Sequence, residues 1–393
     1  MVTIFEIFGK EPIENIITCL NYKADKVVYW GYQKDINFYK ENLTNYLKRE
    51  CGVSQVSFEE LPANDLKAIL SLMGKSISEE IQSGNKIYFD ITGGKDLLLV
   101  AFGMLAKEYD CPIHVYDVMA NRLIELEEGA SRTISREVES RHITIELEDY
   151  IKLHGGVINF KLHKEIKNIK DADFSKDIDA LWNINIQYAS SWNVFSLFVR
   201  NCLKSEDLDE LLVRSNAHEV IESLNAKQFS KNLNMKKLTG IIDSLAMAGL
   251  LLDVKHGDGS FQFRYKNELI KSCIWDSGSV LELHTYKNLA EDFDDCMIGV
   301  HLDWDGVIHE GIGKDVCNEI DVLAIKNGIP TFISCKAGKL NPNTTLHALY
   351  ELQTVTDRFG GKYAKKSLVT VSDIAPNYRE RAEEMDIELI REK

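Results

Sequence analysis

The sequence predicts an α/β protein in three parts: a Rossmann-like N-terminal domain, a helical, winged-helix-like linker and a mixed C-terminal domain. Three observations carry this. Strands and helices alternate through the first ~125 residues, as a parallel, doubly wound sheet requires. Residues from about 160 to 275 have mainly helical periodicity, and the last segment runs helix, three strands, helix, strand, helix. A chain of 393 residues exceeds one typical domain, and 45% hydrophobic content is ordinary for a protein with cores to bury. The expected boundaries are 1–155, 156–275 and 276–393.

Taken in order, "MVTIFEIF" is a strand, Glu11 to Leu20 has helical spacing, "KVVYWG" is a second strand and "DINFYKENLTNYLKREC" a helix. After "SQVSFEEL", Leu66, Ile69, Leu70 and Met73 share one face of an amphipathic helix. "KIYFDIT", the helix "DLLLVAFGMLAKEYD" and the strands "PIHVYDV" and "RLIELE" complete the first domain. The connector "HITIELEDYIKLHGG" follows. In the middle, "NMKKLTGIIDSLAMAGLLLDV" then "GDGSFQFRY" has the helix-then-hairpin order of a winged helix. Only Lys236 and Lys237 lie near the start of that helix, so packing between domains is the plainer expectation than DNA reading.

Ligands of a doubly wound sheet bind at the carboxyl ends of its strands, and two candidate clusters sit there. Gly9 and Lys10 follow the first strand, while Thr92, Gly93, Gly94 and Lys95 lie between a strand and a helix. A helix N-terminus attracts anions, glycines allow close backbone approach, and lysine adds a full charge. GxxxxGK[ST] is absent, and "FGKEPIEN" does not supply GxGxxG, so neither a P-loop nor a dinucleotide site fits. A tight turn would explain the glycines but not Lys95 beside Thr92.

The eight cysteines form no CxxC pair, which argues against a zinc site and a disulfide framework. A net charge of −15 opposes general attraction to nucleic acid, so any such site must be a local basic patch. Lys339, Arg358, Lys362, Lys365 and Lys366 are candidates, with Gln353 on the same helix as Arg358. No apolar run approaches a bilayer span and the N-terminus lacks a basic flank, so a cytoplasmic protein without membrane contact is expected.

In the last segment, Asp321 on "NEIDVLAI" and Lys336 on "TFISCKAG" would meet across adjacent strands. A carboxylate beside a buried lysine can hold a divalent cation and orient water for attack on a phosphodiester. Glu282, on the preceding helix, could add a second carboxylate. A structural ion pair between Asp321 and Lys336 is the bland alternative.

The order of elements around that pair resembles the PD-(D/E)xK nuclease superfamily, a restriction-endonuclease-like fold. "GSVLE", "NEIDV" and "FISCK" are similar to motifs of CRISPR ancillary nucleases, in which a CRISPR-associated Rossmann-fold (CARF) domain precedes the nuclease. "DITGGKD" is similar to the ligand motif of CARF domains. The resemblance implies a homodimer of type III CRISPR antiviral defence. Its sensor domains would bind a cyclic oligoadenylate, cyclic tetra-adenylate being favoured, through Gly9, Lys10 and Thr92–Lys95. The nuclease domains would then cleave DNA or RNA with Mn²⁺ or Mg²⁺. The resemblance assigns Glu282, Asp321 and Lys336 to catalysis, with Glu282, Asp321 and the Cys335 carbonyl on the metal. Ser334 departs from the pattern, because the superfamily usually has its second acid there; Glu282 or Glu319 would supply the missing charge. The rival expectation is a ligand-binding transcriptional regulator with an inactive C-terminal domain.

Overall fold

A computed structural model describes residues 1–128, 133–138, 144–162, 172–206, 209–309, 317–338 and 340–392. The N-terminal elements are β1 (Val2–Ile7), α1 (Ile17–Tyr22), β2 (Lys26–Gly31), α2 (Gln33–Glu50), β3 (Gln55–Glu60) and α3 (Leu66–Gln82). They continue with β4 (Lys86–Asp90), α4 (Asp96–Tyr109), β5 (Ile113–Asp117), β6 (Arg122–Glu128) and β7 (Thr133–Val138). The strand order is β3-β2-β1-β4-β5-β6-β7, parallel as far as β5 and antiparallel beyond. The chain winds outward on both sides of the β1–β4 pair, so the crevice at their carboxyl ends is the switch point where such sheets bind ligands. Both faces of β1 are covered: Phe5 and Ile7 pack towards α3 and α4, while Ile4 and Phe8 face the opposite core.

One expected helix is broken. Glu11 to Leu20 forms a 3₁₀ turn, Pro12–Asn15, followed by α1. Pro12 is tolerated in a first turn, and Asn15 folds back to pair with Gly9.

The middle contains α5 (Leu147–Leu153), β8 (Val157–Ile158), α6 (Ala172–Gln187), α7 (Ala189–Cys202), β9 (Ser205–Glu206) and β10 (Asp209–Ser215). Then come α8 (Ala217–Asn225), α9 (Lys227–Ser230), α10 (Met235–Met247), β11 (Leu251–Gly257), β12 (Ser260–Tyr265) and α11 (Glu268–Trp275). The helix-then-hairpin order is present, and the hairpin joins a sheet ordered β11-β12-β10-β9. Asn234 caps α10 by accepting from the Lys237 amide at 3.0 Å.

The C-terminal elements are α12 (Ser279–Leu289), β13 (Asp295–Asp303), β14 (Cys317–Lys326), β15 (Ile329–Lys336), α13 (Pro342–Phe359), β16 (Lys365–Thr370), α14 (Pro376–Glu384) and β17 (Glu388–Arg391). Their sheet runs β17-β16-β15-β14-β13-β8, so the connector strand β8 belongs to it. β17 was not foreseen. This sheet lies between the other two parts: Leu323, Ile325 and Phe332 share a core with Phe8, Ile13 and Ile16. Val322, Ile333 and Val369 share another with Leu281 on α12 and with the middle helices. No helix among the described residues is long and apolar enough to cross a membrane.

Candidate functional site

β14 and β15 pair antiparallel and bring Asp321, Ser334, Cys335 and Lys336 together at one end. Strand alternation breaks there. Val300 and Ile320 pack in one core, yet Ile298 and Val322, two residues along each strand, pack in the other. Gly299, at φ 60°, sits between those pairs and supplies a backbone that a side chain would strain. Asp321 Oδ2 accepts the Ser334 hydroxyl at 3.1 Å and the Cys335 backbone N–H at 2.5 Å, with Lys336 Nζ at 3.7 Å. The bonds drawn to this carboxylate converge on one oxygen.

Glu282 is 9% exposed on α12, and the next turn of that helix places Thr285 Oγ1 3.7 Å from Cys335 Sγ. Burial pushes the Cys335 thiol well above its ordinary pKa, and the Asp321 charge adds to the shift. The sulfur is therefore a neutral thiol, and any donor this residue gives a hard cation is its backbone. Glu319 is exposed and faces His301 at 3.9 Å across the strand pair.

Among the described residues, no three His, Cys, Asp or Glu side chains stand together as a metal cluster. Two carboxylates with backbone oxygen are nevertheless the hard donors that Mg²⁺ or Mn²⁺ takes alongside water, so the chemistry of the set fits.

Among the described residues, three of the candidate basic side chains are engaged in contacts within the chain. Arg358 donates to the His154, Gly155 and Trp304 carbonyls at 2.7, 3.1 and 2.8 Å. Lys362 binds Glu14 of the first domain. Lys366 donates to Gln353 Oε1 and to the Met385 carbonyl. Lys365 is exposed, and Lys339 lies outside the described residues.

At the other candidate site the two strand-end clusters meet. A methyl carbon built on Gly9 would lie 3.8 Å from the Gly94 amide nitrogen. Gly94 has φ 121°, and a methyl carbon added to it would come within 2.7 Å of Ile7, so local packing alone requires it. Thr92 is a clip: its N–H and hydroxyl donate to Asp90 Oδ1, and its oxygen accepts from the Tyr116 amide at 2.9 Å. Lys95 holds its ammonium 4.4 Å above the Tyr32 ring, and Lys10 is exposed. Sequence reasoning missed Tyr32, Glu11 and Glu14, which lie outside any recognisable motif.

Glu6 and Asp90 are opposite each other on β1 and β4, both buried behind this turn. Burial raises Asp90 to about 6, and burial with the adjacent Asp90 charge holds Glu6 well above the carboxylate range. Between its ordinary 3.8 and about 6, folded Asp90 keeps a proton that the unfolded chain has shed. Its contribution to stability is therefore whole at low pH and lost as pH rises through that window. Asp90→Asn should stabilise the protein by about 1–3 kcal/mol at pH 7.5, a gain that disappears near pH 4. Thermal melting of both proteins across that range measures it.

Residues 273–393 match the model of the family described as Card1-like, endonuclease domain. The crystal structure of protein VC1899 from Vibrio cholerae is similar at a TM-score of 0.74 and 18% identity, over 99% of this chain and 94% of that one. Can2 from Sulfobacillus thermosulfidooxidans, in complex with cyclic tetra-adenylate, is similar at 0.63 and 13%, over 99% and 95%. These likenesses show a shared fold across nearly the whole chain. No curated protein matches the sequence. Residues 273–393 are therefore similar to Card1-like endonuclease domains, in line with the resemblance that the sequence motifs carry.

Proposed function

We propose that the protein is a cyclic oligoadenylate-activated, metal-dependent nuclease of CRISPR defence, cleaving phosphodiesters of DNA or RNA. The observation that carries this reading is the Asp321–Ser334–Cys335–Lys336 cluster at one end of an endonuclease-family sheet. A bound Mg²⁺ or Mn²⁺ would polarise the phosphate and lower the pKa of an attacking water. Asp321, Glu282 and the Cys335 carbonyl would hold that ion. Lys336, with its side chain about one-third exposed, stabilises charge developing on the phosphate.

The Gly9–Lys10 and Thr92–Lys95 cluster is the proposed oligoadenylate site, and the Can2 neighbour, which carries cyclic tetra-adenylate, supports that choice. A cyclic ligand spanning two such sites requires a two-fold homodimer. Val100 and Met104, half exposed one turn apart on α4, supply apolar surface beside the turn for that contact.

The test incubates purified protein with Mn²⁺, cyclic oligoadenylates of each ring size, and RNA, single-stranded DNA or duplex DNA. Cleavage is expected only with metal and one ring size. Lys95→Glu should bind that ligand at least a hundredfold more weakly by calorimetry, with an unchanged melting profile. Cleavage indifferent to every oligoadenylate would remove the sensor assignment.

A further inference from the structure

We propose that Glu14 is the residue through which the C-terminal domain senses a ligand at the strand-end turn, with Lys362 as its counter-charge. The inference rests on reading that turn as the oligoadenylate site. Glu14 is 6% exposed and bridges two domains. Its Oε2 lies so close to Gly93 that a methyl carbon added there would come within 2.9 Å, and it is 3.6 Å from the same position on Gly9. Its other oxygen accepts the Tyr363 hydroxyl at 2.6 Å and meets the Lys362 ammonium.

The rest of the 3₁₀ turn region repeats this two-sided arrangement. Asn15 brackets Gly9, accepting from its amide and donating to its carbonyl, both at 3.0 Å. Glu11 accepts from the Lys362 amide at 2.8 Å, and its other oxygen lies 3.4 Å from His154. Ile13 covers Gly328 in the turn that joins β14 to β15, where an added methyl carbon would approach to 2.7 Å. Residues Glu11–Asn15 thus touch the ligand turn on one side and two loops of the C-terminal sheet on the other.

An anion arriving at the Gly93–Lys95 turn comes up against a buried carboxylate. Like charges at that separation repel strongly where water is scarce. The repulsion is relieved when Glu14 withdraws from Gly93 or Lys362 turns towards the phosphate. Either movement opens the Glu14–Lys362–Tyr363 cluster and releases the loop that leads into β16. β16 lies beside β15, with Thr370 opposite Lys336, so the released element borders the nuclease cluster. The pair acts as a latch on the ligand-free arrangement.

Linkage makes this testable, because whatever holds the ligand-free state opposes the ligand by the same factor. Glu14→Gln keeps the side chain's size and removes its charge. It should raise ligand-free cleavage at least tenfold and tighten cyclic tetra-adenylate binding at least tenfold, leaving the ligand-saturated rate within about twofold of wild type. Tyr363→Phe, which deletes one hydroxyl, should move both quantities in the same direction by a smaller factor and covers the case of a misfolded Glu14→Gln. A merely structural role would lower activity and affinity instead. If wild type responds to ligand while both variants match it in ligand-free rate and affinity, the latch is overturned and the ligand site stands. If wild type ignores every oligoadenylate, the ligand site falls and the latch falls with it.

Discussion

Asp321→Asn is expected to abolish cleavage, by at least about a thousandfold, while leaving fold and ligand binding intact. Asparagine keeps an oxygen to accept from the Cys335 amide and the Ser334 hydroxyl, so the end of the hairpin should retain its shape. What it loses is the negative charge that faces Lys336 and that a divalent cation requires. Cleavage rates at saturating Mn²⁺ and activator, calorimetry with cyclic tetra-adenylate and a melting curve separate these effects. Binding retained with cleavage lost is the expected pattern. Cleavage above a tenth of wild type would mean that the ion pair is structural. The cleaving site would then lie elsewhere, whereas the rival regulator, with an inactive C-terminal domain, predicts that wild type itself cleaves nothing under these conditions.

What the sequence disclosed was local in character. Strand periodicity and glycine turns placed β1, β2, β4 and α4 within a residue or two, because each depends on neighbours close in the chain. The Asp321–Lys336 meeting was legible because two strands joined by a tight turn leave few ways to pair. The four-residue β17 is hard to foresee because its burial does not alternate: Leu389 and Ile390 are both half-buried between the exposed Glu388 and Arg391.

The partners of the basic residues were hidden for a different reason. A count of lysines cannot show that Lys362 belongs to Glu14, or that Arg358 is spent on three carbonyls. Those partners lie far away in the chain. The glycines of "DITGGKD" suit a ligand turn, but Gly94 is also demanded by Ile7 and Gly93 by Glu14. Packing and recognition use the same residues here, and sequence alone does not separate them.

Ser334 poses the sharpest question about the nuclease cluster, since its hydroxyl stands where a second acid is expected and donates to Asp321 instead. If Glu282 supplies the missing charge, Glu282→Gln should lower cleavage by about a hundredfold and demand more Mn²⁺ for half-maximal rate. Ser334→Glu should do the reverse, keeping or raising the rate at low Mn²⁺. Ser334 is 9% exposed, so the new carboxylate would lie largely buried beside Asp321, and without metal the two charges repel. The variant should therefore melt several degrees lower in chelator, from a cost of about 1–3 kcal/mol, and recover as Mn²⁺ is added. That recovery reports metal binding without reference to activity. Rate against metal concentration, with melting in parallel, distinguishes the outcomes. A wild-type-like Glu282→Gln with an inactive Ser334→Glu that Mn²⁺ fails to restabilise would leave Ser334 as a packing or substrate residue. The second acid would then be sought at Glu319, whose present partner across the strands is His301.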